Sequence, residues 1–146
     1  MNKHRVYFAH PINTYGTPLE RTILGILTLK WRGDTIVNPG SDEHRAVVDE
    51  MRRIDPSVNV MGYFTELVKA CNEVVVLPFI DGMWGAGVYK EAETVLDLTN
   101  GRYVWVINPT THVIRFVPRL KESLRLTVEE TRSRIRLPDG SPRPYA

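Results

Sequence analysis

Glu73-Val74-Val75-Val76-Leu77-Pro78, followed by the loop Phe79–Ala86 (FIDGMWGA) and then Gly87-Val88-Tyr89-Lys90-Glu91-Ala92-Glu93-Thr94-Val95-Leu96, is the stretch that decides the fold. An unbroken apolar run closed by proline is a central strand, buried on both faces. The glycine-rich loop after it opens a helix expected to run to Thr99, with Asn100-Gly101 as its stop. Strand, loop and helix in that order form the repeating unit of a parallel α/β sheet.

Working outward, the same unit recurs. Val6–Ala9 is a short buried strand that Pro11 ends. Thr17-Pro18-Leu19-Glu20 supplies a cap hydroxyl, a proline at the first helical position and a glutamate three residues after the cap. The helix it opens runs to Trp31, and Leu19, Ile23, Ile26, Leu27 and Trp31 give it a wide apolar surface. Arg32-Gly33-Asp34 turns into a second strand, Thr35–Asn38, stopped by Pro39-Gly40. Ser41 caps a helix to Arg53, and another near Val60–Cys71 carries Val60, Phe64, Leu67, Val68 and Cys71 on one stripe. Tyr103–Ile107 and Val113–Val117 read as the last strands, and Thr127 with Glu130 makes a capping box for a helix to Arg136. The expected architecture is a doubly wound, flavodoxin-like or Rossmann-like parallel sheet of about five strands with helices on both faces. It occupies residues 1–137, and the polar, proline-rich segment 138–146 is expected to be a loosely ordered tail.

Composition narrows the function classes. With 146 residues, 42% hydrophobic and 25% charged, the chain builds one core without staples. A net charge of +2 is too small to argue for nucleic acid. The densest basic stretch, Arg119 to Arg136, is interleaved with Glu122, Glu129 and Glu130 and reads as a solvated helical face. The single cysteine, Cys71, reads as a small buried hydrophobe. The opening MNKHRVYFAHP enters an apolar run too short for a signal h-region, and no apolar stretch is long enough to cross a bilayer. A cytoplasmic protein without membrane association is expected.

Parallel sheets place their ligands at the carboxyl ends of the strands. The loops to search are therefore Ala9-His10-Pro11-Ile12-Asn13, Asn38-Pro39-Gly40 and Phe79–Gly87. In the helix that follows the third strand, Val88, Ala92, Val95, Leu96 and Leu98 share one apolar sector, with Lys90, Glu93 and Asp97 opposite. Glu91 projects between Val95 and Leu98, inside the apolar sector. An ionised carboxylate there costs several kcal/mol unless it is hydrogen-bonded or functional. Its place in the first turn favours negative charge, and Gly82, Gly85 and Gly87 permit close approach of a ligand to the backbone. Two readings of Glu91 follow: a group satisfying its own helix's free amides, or a catalytic carboxylate at a strand end.

The ordered set VYFAHPI, VNP and VVVLP…GMWGAGVYKEA resembles the nucleoside 2-deoxyribosyltransferase-like superfamily, which includes nucleoside 5′-monophosphate N-glycosidases. The likeness spans Val6 to Ile107. It implies cleavage or exchange of an N-glycosidic bond through a glycosyl ester, with no cofactor or metal, in a homodimer or higher even oligomer. It also implies that Glu91 is the nucleophile, that the Tyr7 hydroxyl orients it, and that Asp81 lies near the nucleobase. The substrate loops so implied carry His10, Pro11, Asn13, Asn38, Pro39, Gly85, Gly87 and Val88. Three positions depart from the family pattern. Gly85 stands where the monophosphate enzymes keep a phosphate-binding serine, Asn13 where they keep an arginine, and Gly62 or Tyr63 near their aspartate. His10, Thr14, Thr17 and Arg21 cluster at the first loop and are candidates to replace the phosphate contacts, and Asp81 or His10 to protonate the leaving base. The alternative is a nucleotide- or sugar-phosphate-binding module that kept the fold and lost the reaction. The Pro-Gly-Gly…Gly-Thr…Glu run of cytokinin-activating phosphoribohydrolases is absent from the sequence.

Overall fold

The strand Glu73–Val76 (β3) lies at the centre of a five-stranded sheet, hydrogen-bonded to Arg5–Ala9 (β1) on one side and Tyr103–Ile107 (β4) on the other. The computed structural model describes residues 4–98 and 102–146. The order is β2-β1-β3-β4-β5, where β2 is Thr35–Val37 and β5 is Ile114–Val117. β1, β2, β3 and β4 pair in parallel. All four β3 residues are buried, as its unbroken apolar run requires.

β5 departs from the expected all-parallel sheet and runs antiparallel to β4. The segment joining them, residues 108–113, is far shorter than the dozen or so residues a parallel crossover needs. Asn108 Oδ1 accepts from the amides of Thr110 and Thr111, and His112 sits at a φ of 61°, which turns the chain back.

Alternation along the strands sends Val6, Phe8, Val75 and Leu77 to one face and Tyr7, Ala9, Val74 and Val76 to the other. The first face is covered by α1 (Pro18–Lys30) through Ile23 and Leu27, with Leu19, Leu24, Ile26 and Trp31 packed beside them. The wide apolar surface of this helix is thus largely used within the chain, leaving Leu29 exposed. The second face is covered by α3 (Met61–Lys69) and α4 (Ala86–Leu96). Between β2 and α3 runs α2 (Asp42–Ile54), capped by Ser41; it buries Val48 and leaves Val47 and Ile54 exposed. The expected end of α4 at Thr99 and its stop at Asn100-Gly101 lie outside the described residues.

The last helix, α5 (Val128–Ile135), opens with the reciprocal Thr127–Glu130 capping box. The segment expected to be a loose tail folds back instead. Tyr145 donates its hydroxyl to Pro78 O at 2.5 Å, Arg143 N–H donates to Ile135 O, and Asn13 Nδ2 donates to Arg143 O at 2.9 Å. Its one aromatic side chain joins the core beside α1, which is what fixes an otherwise polar segment. None of the described helices is long and apolar enough to cross a membrane.

Candidate active site

Strand order reverses between β1 and β3, because the chain leaves β1 towards β2 and returns to place β3 on the opposite side. That switch point is where open α/β sheets hold their ligands. A pocket of about 980 Å³ lies there, on the Tyr7 face of the sheet. Its floor is Tyr7, Tyr15 and Glu91. One wall is Met61 and Phe64 from α3, and the other is Val128, Thr131 and Ile135 from α5.

Glu91 lies in the second turn of α4 and not in the first turn as expected, because the helix already opens at Ala86; Val88, Ala92 and Val95 beside it are all buried, as the apolar sector dictated. It is 9% exposed, and its Oε2 has no hydrogen-bond partner. Tyr7 is fully buried, and its hydroxyl likewise lacks a partner at bonding geometry. The two groups are near neighbours all the same. Burial pushes the Glu91 carboxyl up to about 8, against a smaller downward pull from the Tyr7 phenol. Burial first, and then the charge of Glu91, hold the Tyr7 phenol protonated well above its ordinary range. The reading in which Glu91 satisfies its own helix's amides is not the arrangement found, since Oε2 accepts from none of them.

The N-terminus of α4 is capped from elsewhere in the chain. Gly85 is the N-cap and has no side chain to offer. Thr131 Oγ1, on α5, accepts from Ala86 N–H at 2.8 Å while donating to Thr127 O. A Cβ on Gly85 would meet Thr131 Cγ2 at 3.2 Å, so the small residue and the borrowed hydroxyl belong together. Pro11, Gly85, Gly87 and Val88 all line the pocket.

Other expected residues are placed differently. Asp81 is half exposed and forms a two-armed ion pair with Arg134, at 2.9 and 2.7 Å. Its Oδ1 also accepts from Met83 N–H, the ordinary turn of an Asp-Gly pair with Gly82 at φ 87°. It does not line the pocket that Glu91 lines. Asn13 ties down the chain's last turn through Arg134 O and Arg143 O. Arg21 donates to Gly16 O at 3.0 Å on the exposed side of the loop. Asn38 accepts from Gly40 N–H, and neither it nor Pro39 reaches the pocket, because β2 is the edge strand.

His10 lines the pocket, but both ring nitrogens are engaged: Nδ1 with Phe8 O at 2.8 Å and Nε2 with Glu20 Oε2 at 2.7 Å. Its side chain is inaccessible, and it cannot reach a leaving base without breaking those bonds. Glu20, expected to complete a capping box, instead accepts from His10 and from Gly16 N–H. Burial raises its carboxyl, and these hydrogen bonds outweigh that to leave it below its usual range.

Sequence reasoning missed Tyr15 and the basic side chains of the last segment. Arg125, Arg132 and Arg136 line the pocket mouth, although their stretch reads as a solvated helical face. Arg125 lies over the Tyr89 ring at 5.3 Å, and Arg136 donates to Gly140 O. Among the described residues, no three His, Cys, Asp or Glu side chains gather as metal ligands would. Cys71 is buried, its thiol pushed up to about 11 by burial, as an inert core residue. No protein-family model, no curated protein and no solved structure matches the chain.

Proposed function

We propose that this protein cleaves or exchanges the N-glycosidic bond of a nucleoside or nucleoside 5′-monophosphate, through a glycosyl ester on Glu91. The observation that carries the reading is a buried, unpartnered carboxyl beside a buried, unpartnered phenol, at the floor of a pocket sized for a nucleotide. A polar pair kept unsatisfied in an apolar sector costs stability, and function is the usual reason such a cost persists.

In the first step a Glu91 oxygen bonds to the anomeric carbon while the carbon–nitrogen bond breaks and its electron pair leaves with the base. The base takes up one proton, matching the one Glu91 releases on ionising. In the second step water, or a second base, displaces the ester at the same carbon and returns the carboxylate. Tyr7, protonated at all working pH values, donates to the carboxylate and aims it. With Asp81 and His10 engaged elsewhere, protonation of the leaving base falls to solvent at the pocket mouth. An anionic end of the substrate would meet the Gly87 and Val88 amides at the start of α4, and Arg132.

A second reading follows from the burial of Glu91, which raises its carboxyl to about 8 and favours the neutral form near pH 7. A protonated carboxyl suits a donor contact in a nucleotide- or sugar-phosphate-binding module. Incubation with a panel of nucleosides and 5′-monophosphates, with chromatography of the products, separates the two. Release of free base supports the enzyme, and tight binding without turnover supports the module.

A further inference from the structure

Tyr15 sits in the loop after β1, and its position is fixed on both sides. A Cβ built on Gly40 would lie 2.7 Å from Tyr15 Cγ, so the ring rests in a notch that only glycine leaves. On another side the His10 ring lies 4.7 Å away, tilted by 50°. His10 is itself locked: it stacks on Phe8 at 3.8 Å, and its nitrogens are held by Phe8 O and Glu20. Glu20 Oε1 also accepts from Gly16 N–H, which clamps the residue next to Tyr15.

This scaffolding directs a phenol into the same pocket as Tyr7 and Glu91. Burial, then the charges of Glu91 and Glu20, raise the Tyr15 hydroxyl above its ordinary range against a weaker opposing effect of Arg45, so it keeps its proton. Tyr7 from β1 and Tyr15 from the loop line that pocket together with Glu91. Hydrogen bonds donated to a buried carboxylate favour its ionised form. Glu91 Oε2 accepts none.

We propose that Tyr15 is a positioning residue for Glu91: when the carboxyl ionises, it takes one hydrogen bond from Tyr15 and another from Tyr7, and the Gly40 notch and the His10–Glu20 pair act on it through Tyr15. This rests on the reading of Glu91 as a nucleophile for its purpose, and its test does not require any activity.

The experiment is a carboxyl-carbon NMR titration of Glu91, assigned by its loss in Glu91→Gln, in wild type, Tyr15→Phe, Gly40→Ala and the double variant. Tyr15→Phe should move the Glu91 midpoint upward by about one pH unit, a tenfold change in its acid dissociation constant. Gly40→Ala keeps the hydroxyl but displaces the ring, and should move the midpoint the same way. The double variant should move it no further than Tyr15→Phe alone, because both act through one bond. An unchanged midpoint in Tyr15→Phe overturns the proposal, as do additive shifts in the double variant. If Gly40→Ala does not fold, Tyr15→Phe alone decides. A shifted midpoint in a protein that releases no base would leave the Tyr15 assignment standing and remove the glycosidase reading.

Discussion

Thr131 on α5 holds the first free amide of α4, Ala86 N–H, at 2.8 Å, and so supplies the cap that Gly85 lacks. The contact joins residues 45 positions apart and fixes the wall of the pocket to the helix that carries Glu91. Removing the hydroxyl in Thr131→Ala should cost about 1 kcal/mol, the usual worth of a helix cap. Gly85→Ser alone should not stabilise the protein, because its Cβ crowds Thr131 Cγ2. Combined with Thr131→Ala it should recover most of the loss, since Gly85 has extended backbone with φ −58° and ψ 151° that a serine adopts freely. Urea denaturation of the three variants checks this, and simple additivity of the two changes would refute it.

Glu91 should also make stability fall as pH rises. Its folded value of about 8 lies above the ordinary glutamate value, so the native state holds a proton that the unfolded chain releases. Stability is therefore undiminished by Glu91 below about pH 4.3. It declines from there to about pH 8 and levels off above it. Glu91→Gln should match wild type at pH 4 and exceed it by several kcal/mol, in order of magnitude, at pH 9. Denaturation curves at those two pH values decide it. The same difference between the proteins at both would show that Glu91 is not held neutral.

The fold was legible because its signals are local. The apolar run of β3, the Thr17-Pro18 helix start and the Thr127–Glu130 capping box each lie within a few residues and each formed as read. Glu91 was legible for a related reason: one helix's periodicity suffices to put it in the apolar sector. Tyr15 and Thr131 were not, because their partners Gly40 and Ala86 lie in other elements and neither residue breaks a local pattern. Glu20 was concealed by a pattern it fits, since a glutamate three residues after a cap reads as a capping box even when it bonds a buried histidine. The arginines of the last segment look solvated in sequence because nothing local reports that α5 closes the pocket.

A 5′-phosphate should be read by α5 and not by the first helix. Arg21 is occupied with Gly16 O and lies off the pocket, whereas Arg132 lines it. Arg132→Ala should raise KM for a monophosphate by roughly tenfold or more, the scale of a charged hydrogen bond, with little change for the free nucleoside. Arg21→Ala should alter neither. Steady-state kinetics on one nucleoside with and without its phosphate tests both arms, and an effect confined to Arg21→Ala would reverse the assignment.

We also propose a homodimer or higher even oligomer. With α1 largely covered, the large apolar side chains still exposed on α1 and α2 are Leu29, Val47 and Ile54, and Tyr103, Val113 and Phe116 are exposed on and beside β4 and β5. Sedimentation equilibrium at micromolar concentrations should give a dimer mass, and Val47→Lys should shift it towards monomer. A wild-type monomer under those conditions would remove the proposal.

The most direct measurement of the central claim compares wild type and Glu91→Gln on whichever nucleoside or nucleotide releases free base, with acid-quenched samples analysed by peptide mass spectrometry. Wild type should release base and show a glycosyl mass on the peptide containing Glu91. Glu91→Gln should do neither, while unfolding with the same cooperativity as wild type. Base release by Glu91→Gln at the wild-type rate would contradict the account.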